Sequence, residues 1–208
     1  MRPRLLIASI AIPAALAIGA CSGSSDHGSM DMGDSTSASE AAPIAESADF
    51  NKVDVGFAQG MIPHHAQAVE MADMAIDSST NTDVLELARA IKGAQQPEID
   101  QMTGWLIAWG QKVPEASGSH DMTGMDSMMM SGMMTDADMQ RLEDSSGAAF
   151  DRMWLELMVL HHEGAVAMSE DEIAGGKSPE AVTLAGTIVE AQQAEIATMN
   201  KLIASMPS

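Results

Sequence analysis

One string limits the folds open to this chain more than any other, because it occurs twice. Met61-Ile62-Pro63-His64-His65-Ala66-Gln67-Ala68-Val69-Glu70-Met71 returns 97 residues later as Met158-Val159-Leu160-His161-His162-Glu163-Gly164-Ala165-Val166-Ala167-Met168. Both copies read Met-x-x-His-His-x-x-Ala-Val-x-Met. At the same offset, Ala94-Gln95-Gln96-x-Glu98-Ile99-x-x-Met102 matches Ala191-Gln192-Gln193-x-Glu195-Ile196-x-x-Met199. Between Met61–Leu106 and Met158–Ile203, 16 of 46 positions are identical without a gap. This is an internal duplication, and a repeated unit too small to bury its own apolar face buries it against its copy.

Each copy reads as two helices. From Asp49 to Ile76 the residues Phe50, Val53, Phe57, Met61, His64, Ala68, Met71 and Ala75 keep helical spacing. Pro63 removes one backbone hydrogen bond there and predicts a kink that Leu160 in the second copy would not impose. Asn81-Thr82-Asp83 offers caps for a second helix over Val84–Trp109, with Gly110 as its stop. Thr135 caps a third helix predicted to run unbroken to about Ala174, closed by Gly175-Gly176. Ser178 and Pro179 start the fourth, which ends near Ser205. No stretch alternates as a strand does. The expected organisation is repeat 1 over about 49–110, a Met-rich connector over 111–134 and repeat 2 over about 135–205. Two stacked hairpins joined by a long crossover predict an all-α, ferritin-like four-helix bundle, with residues 49–208 forming the domain.

The first twenty residues read as an export signal: Arg2 and Arg4, then an apolar run over Leu5–Gly19. Ile18-Gly19-Ala20-Cys21 resembles a bacterial lipobox, so Cys21, the only cysteine, is the expected lipidation site. Residues 21–48 read as a flexible tether to the membrane. A single cysteine leaves no disulfide to form within the chain. The formal charge of −20 argues against nucleic acid and against an anionic lipid surface, and the absence of tyrosine leaves few stacking platforms.

The composition signal that remains is chemical. Twenty methionines exceed what a core of this size needs. Met61 stands three and four residues before His64 and His65, and His64 stands seven before Met71. These spacings put the side chains on one side of a helix. Met158, His161, His162 and Met168 repeat the pattern, and two packed copies would bring the His-His pairs together near the bundle axis. Imidazole with thioether selects soft ions, above all Cu(I) and Ag(I). A di-iron bundle would want Glu-x-x-His, and here methionine stands where the carboxylate would be. Glu98 and Glu195 lie near the apolar stripes of the second and fourth helices. They are read as orienting carboxylates for the imidazoles or as additional ligands, with Met102 and Met199 extending the same face.

The plainer account must be set beside this. A lone histidine on an apolar row is usually a core residue, and a lone methionine is usually filler. Two copies in register favour metal. Gln95, Gln96, Gln192 and Gln193 are expected to bond between helices, and Trp105, Trp109 and Trp154 to pack in the core or at a bundle end. There is no Gly-x-Ser-x-Gly, no phosphate-binding glycine loop and no catalytic cysteine, so binding is read ahead of catalysis.

These strings, with Phe57–Met71 the longest, resemble the DUF305 family of exported, ferritin-like helical proteins over about Asp49–Ser205. The resemblance implies a four-helix bundle and, through copper-resistance members, copper binding outside the cytoplasm. Carried over by motif, the implied ligands are Met61, His64, His65, Met71, Met158, His161, His162 and Met168. The expected function is therefore a membrane-tethered copper lipoprotein that sequesters or hands on Cu(I) or Ag(I) and serves copper tolerance. His27, Met30 and Met32 in the tether, with His120, Met122, Met125 and Met128 in the connector, would capture ions weakly and pass them inward. A copper donor or acceptor protein and a second copy of the chain are compatible partners. Two alternatives stay open: a ferritin-like di-metal oxidoreductase using His64, His161, Glu98 and Glu195, and a structural helical domain without metal.

Overall fold

The computed structural model describes residues 44–45, 48–115 and 131–206, and helix is the only regular structure among them. The sequence expectations for Cys21, His27, Met30, Met32, His120, Met122, Met125 and Met128 lie outside the described residues. Five helices follow in order: α1 (Lys52–Ser78), α2 (Thr82–Ala108), α3 (Asp136–Glu143), α4 (Gly147–Gly175) and α5 (Pro179–Ser205). Among the described residues no helix is long and apolar enough to cross a membrane.

Local chemistry sets the ends. Asn51 caps α1 by accepting from the Val53 and Asp54 amides, while Asp54 returns a bond to the Asn51 amide. This capping box satisfies donors that the first turn cannot use. Asn81 caps α2 by accepting from the Asp83 and Val84 amides, and Ser178 caps α5 with Pro179 in its first turn. Gly110, at φ +66, ends α2. Its own amide and that of Gln111 close back on Ile107 and Leu106.

The third helix is not continuous, contrary to the sequence expectation. It divides into α3 and α4 at Asp144-Ser145-Ser146. Ser145 turns its hydroxyl onto the Leu142 carbonyl at 2.7 Å, and Gly147 adopts φ +58. Serine competes with the helix for backbone groups and a left-handed residue cannot continue it. At Pro63 there is no such division: α1 runs through it for 27 residues. Val53, expected on the apolar stripe, is exposed at 39%.

α1 packs against α2, α4 packs against α5, and the hairpins join mainly through α1 against α4. The core has two clusters, and each draws on both copies. One holds Met71 with Met158 and Met199; the other holds Met61 and Met102 with Met168. Equivalent methionines therefore fall in opposite clusters, as a pseudo-twofold arrangement with α1 and α4 antiparallel requires. Trp154 anchors the first cluster, fully buried, with its indole N–H donating to the Met71 carbonyl at 2.7 Å. Trp109 stacks on Phe50 and Trp105 at the far end. Burying each such methionine stabilises the fold by roughly 1.5–3 kcal/mol whether or not it meets a metal. Methionine burial alone thus says nothing about function.

Candidate metal centre

Between the two clusters lies a polar layer. His64, His65, His161 and His162 are all at most 1% exposed. The helical rotation of adjacent residues sends each pair in two directions. His64 and His161 turn toward the α1–α4 seam, where their ring centroids stand 3.8 Å apart at 42°. His65 and His162 turn the other way, each toward its own hairpin partner. His65 Nε2–H donates to Glu98 Oε2 at 2.7 Å, and His162 Nε2–H donates to Glu195 Oε2 at 2.8 Å.

The hydrogen bonds decide which nitrogens remain available. A carboxylate or carbonyl oxygen can only accept, so Nε2 carries the hydrogen in His65 and His162 and, by its bond to the Ser131 carbonyl at 3.1 Å, in His64. In the neutral ring that leaves a lone pair on Nδ1. The Nδ1 atoms of all three are buried and have no hydrogen-bond partner among the described residues. His161 has none at either nitrogen. Burial, reinforced by the His65 and His162 rings, pushes the His64 imidazole down to about 3 against the pull of the Ser131 carbonyl. His161 is also held well below the ordinary imidazole range, by burial first and then by the other three rings. The His64 carbonyl opposes this slightly, in a geometry short of a hydrogen bond. The central pair is neutral near pH 7 and able to donate lone pairs.

Gln95 and Gln192 add to the deficit. Expected to bond between helices, they are 3% exposed, yet neither amide atom of Gln95 nor Oε1 of Gln192 has a partner among the described residues. Buried polar atoms left unpaired are costly, and this cluster of them makes the layer the candidate place for a ligand.

The donor set is narrow. Among the described residues no three His, Cys, Asp or Glu side chains converge as a ready-made metal cage. The nearest approach is the His64–His161 pair, with Met61 and Met158 one turn earlier and fully buried. Two imidazoles flanked by thioethers fit a soft ion of low coordination number and not one that needs several oxygens. Glu98 and Glu195 keep 18% and 21% exposure and are engaged by histidine, so their charge is hydrated and bonded without a metal. Met71, Met102, Met168 and Met199 are buried in the flanking clusters. Sequence reasoning missed Gln67, Ser131 and Gly164, which shape one side of this layer. The signal was present, since Gln67 and Gly164 stand at equivalent positions of the duplication and differ.

The chain matches the family described as a domain of unknown function (DUF305) over residues 54–203. None of the curated proteins matches it. Among solved structures, a DUF305 protein from Streptomyces coelicolor is 37% identical at a TM-score of 0.65, covering 76% of this chain and 94% of that one. A DUF305 fragment from Deinococcus radiodurans is 33% identical at 0.65, with coverages of 75% and 98%. CopM in its Cu(II)-bound form is 31% identical at 0.61, covering 73% and 95%. CopM structures in Cu(I)-bound and Ag-bound forms are similar as well. With the match spanning most of its length and a bundle fold in common with those structures, this chain belongs to the DUF305 family.

Proposed function

We propose that this protein binds Cu(I) outside the cytoplasm and sequesters it or hands it on, with Ag(I) as a chemical equivalent. The observation that carries the reading is the buried, neutral His64–His161 pair, in which His64 Nδ1 and both His161 nitrogens have no partner among the described residues. His64 and His161 supply nitrogen, and Met61 and Met158 supply sulfur. His65 and His162, oriented by Glu98 and Glu195, supply further nitrogen as the ion moves. Met71, Met168, Met102 and Met199 keep the surroundings dry and polarisable. Similarity to CopM, solved with Cu(I), Cu(II) and Ag, supports the choice of ion. The export signal and Cys21 support a lipid-anchored location, and the His/Met segments of the tether and connector support capture from solution. The di-metal oxidoreductase asks Glu98 and Glu195 to join His64 and His161, but they bond His65 and His162 instead.

The test is anaerobic Cu(I) titration of Ser22–Ser208 against a competing chelator, beside the same chain with His64, His65, His161 and His162 changed to Ala. The variant is expected to lose at least ~100-fold in affinity. Equal affinity in both would move copper to the methionines of tether and connector.

A further inference from the structure

The end of the Met-rich connector reaches the histidine layer. Ser131 takes the His64 Nε2–H on its carbonyl at 3.1 Å. Three residues later, both backbone groups of Met134 are paired by one side chain. The Gln67 amide N–H donates to the Met134 carbonyl at 2.9 Å, and the Met134 N–H donates to Gln67 Oε1 at 2.7 Å. Gln67 is fully buried, so these bonds form away from water. On the facing helix the same segment lies directly on Gly164, where a Cβ would stand 2.0 Å from the Ser131 carbonyl oxygen. Gly132, at φ +78, approaches the Leu160 carbonyl so closely that its own Cβ would stand 2.6 Å away.

Gln67 and Gly164 occupy the same place in the two copies, 97 residues apart and three after the inward-facing histidine. One grips the segment and the other makes room for it. Glycine inside a helix is unfavourable relative to alanine, and close backbone approach is the circumstance that requires it. The duplication is thus broken at one pair of positions in the way that seats Ser131–Met134 across the α1–α4 seam.

We infer that Ser131–Met134 is a releasable clasp, held by Gln67 as its positioning residue, that fixes His64 in one tautomer and limits how fast a soft ion exchanges at the histidine pair. The inference rests on His64 and His161 being the ion's ligands. With the clasp seated, His64 spends Nε2–H on Ser131 and offers only Nδ1. Among the described residues His161 has no hydrogen bond at either nitrogen, so none holds it to one tautomer. An ion held between a ring fixed in one tautomer and a ring not so fixed leaves on the His161 side. Lifting the clasp frees the second ring and opens the other side.

Two variants act on the clasp from opposite helices without altering a histidine or methionine. Gly164→Ala pushes it off, and Gln67→Leu removes its hydrogen bonds. In the metal-free mature chain, nitrogen NMR of the imidazoles should show His64 as the pure Nε2–H tautomer in the parent and as a mixture in both variants. Amide exchange at Met134 should accelerate by about 100-fold. Transfer of Ag(I) from the loaded protein to a chelator should speed up by about tenfold or more, the affinity changing less than the rate. A protected Met134 amide in both variants would overturn the role of Gln67 and Gly164. An exposed amide with unchanged His64 tautomer and unchanged Ag(I) transfer would overturn the clasp. If the parent takes up no Ag(I), the metal reading fails, and the gating inference falls with it.

Discussion

The two copies agree in their histidine–glutamate pairs and differ in what surrounds them. His64 and His161, His65 and His162, Glu98 and Glu195 correspond residue for residue, and the two histidine–glutamate bonds differ by only 0.1 Å (2.7 against 2.8 Å). At the bundle ends the correspondence fails in an instructive way. Asp54 and Asp151 are equivalent by the 97-residue offset, and each reaches across to the interhelix loop of the other copy. Asp151 accepts from the Ser79 hydroxyl at 2.6 Å. Asp54 accepts from the Lys177 and Ser178 amides at 2.9 and 2.8 Å, but it also meets Glu172, where the first copy has Ala75. Burial alone would raise the Asp54 carboxyl; the hydrogen bond from Glu172 and the amides of Asn51, Ser178 and Lys177 outweigh it and hold it below the usual range. Burial, the bond to Asp54 and the charge on Asp54 push Glu172 up to about 8. Ionised, both Glu172 oxygens would lack a donor; protonated, Glu172 donates to Asp54. The lesson is that duplication preserves the histidine–glutamate pairs and releases what surrounds them, Gln67 and Gly164 beside the layer and Ala75 and Glu172 at the end.

The largest expected effect breaks the ends apart. Native Glu172 keeps a proton that the unfolded chain loses above its ordinary value of 4.5, so stability should fall as pH rises from about 4.5 to about 8 and then level off. Glu172→Gln keeps the bond to Asp54 without the charge, and at pH 9 it should be more stable than the parent by roughly 3–5 kcal/mol. Urea denaturation at pH 5, 7 and 9 checks this, and parallel curves for parent and variant would mean that no proton is shared.

A smaller effect tests the agreement at the centre. Glu98→Gln and Glu195→Gln should each weaken soft-metal affinity by about 10–100-fold, and by equal factors, if both orient their histidines alike. Competitive titration of the two variants would expose an asymmetric centre as a ratio far from one. The smallest effect concerns the metal-free fold. His161→Leu removes a buried ring with both nitrogens unpaired among the described residues and should stabilise the empty protein by about 1–2 kcal/mol. His64→Leu should gain less, because it also strips the Ser131 carbonyl of its donor. Thermal melts at pH 7 in chelator would reverse this order if His161 has a partner of its own.

Much of this was legible in the sequence because the duplication is a long-range signal that needs no structure. It pointed to the hairpins, the bundle and a meeting of the two His-His pairs near the axis, of which His64 and His161 meet while His65 and His162 turn away to Glu98 and Glu195. What failed to show depends on contacts that local pattern does not encode. The break at Ser145-Ser146 lies inside a run whose apolar spacing continues on both sides. Gln95 and Gln192 look like ordinary interhelix partners until both amide atoms of Gln95 and Oε1 of Gln192 are seen to be unpaired among the described residues. Gln67 and Met134 meet only after the chain has crossed the bundle, 67 residues apart. Glu172 carries no mark of burial in a stretch, Ser169-Glu170-Asp171-Glu172, that reads as a solvated face.

The interleaving of the two methionine clusters bears on ancestry. Neither hairpin owns a core: each cluster takes its side chains from both copies. A half-length chain carrying one copy would complete those clusters by pairing with its twin, and the twofold relation now approximate would then be exact. The histidine pair would lie on the symmetry axis as one residue seen twice. Fusion into a single chain removed the need to find a partner and, by letting position 67 differ from position 164, allowed the two faces of that pair to diverge.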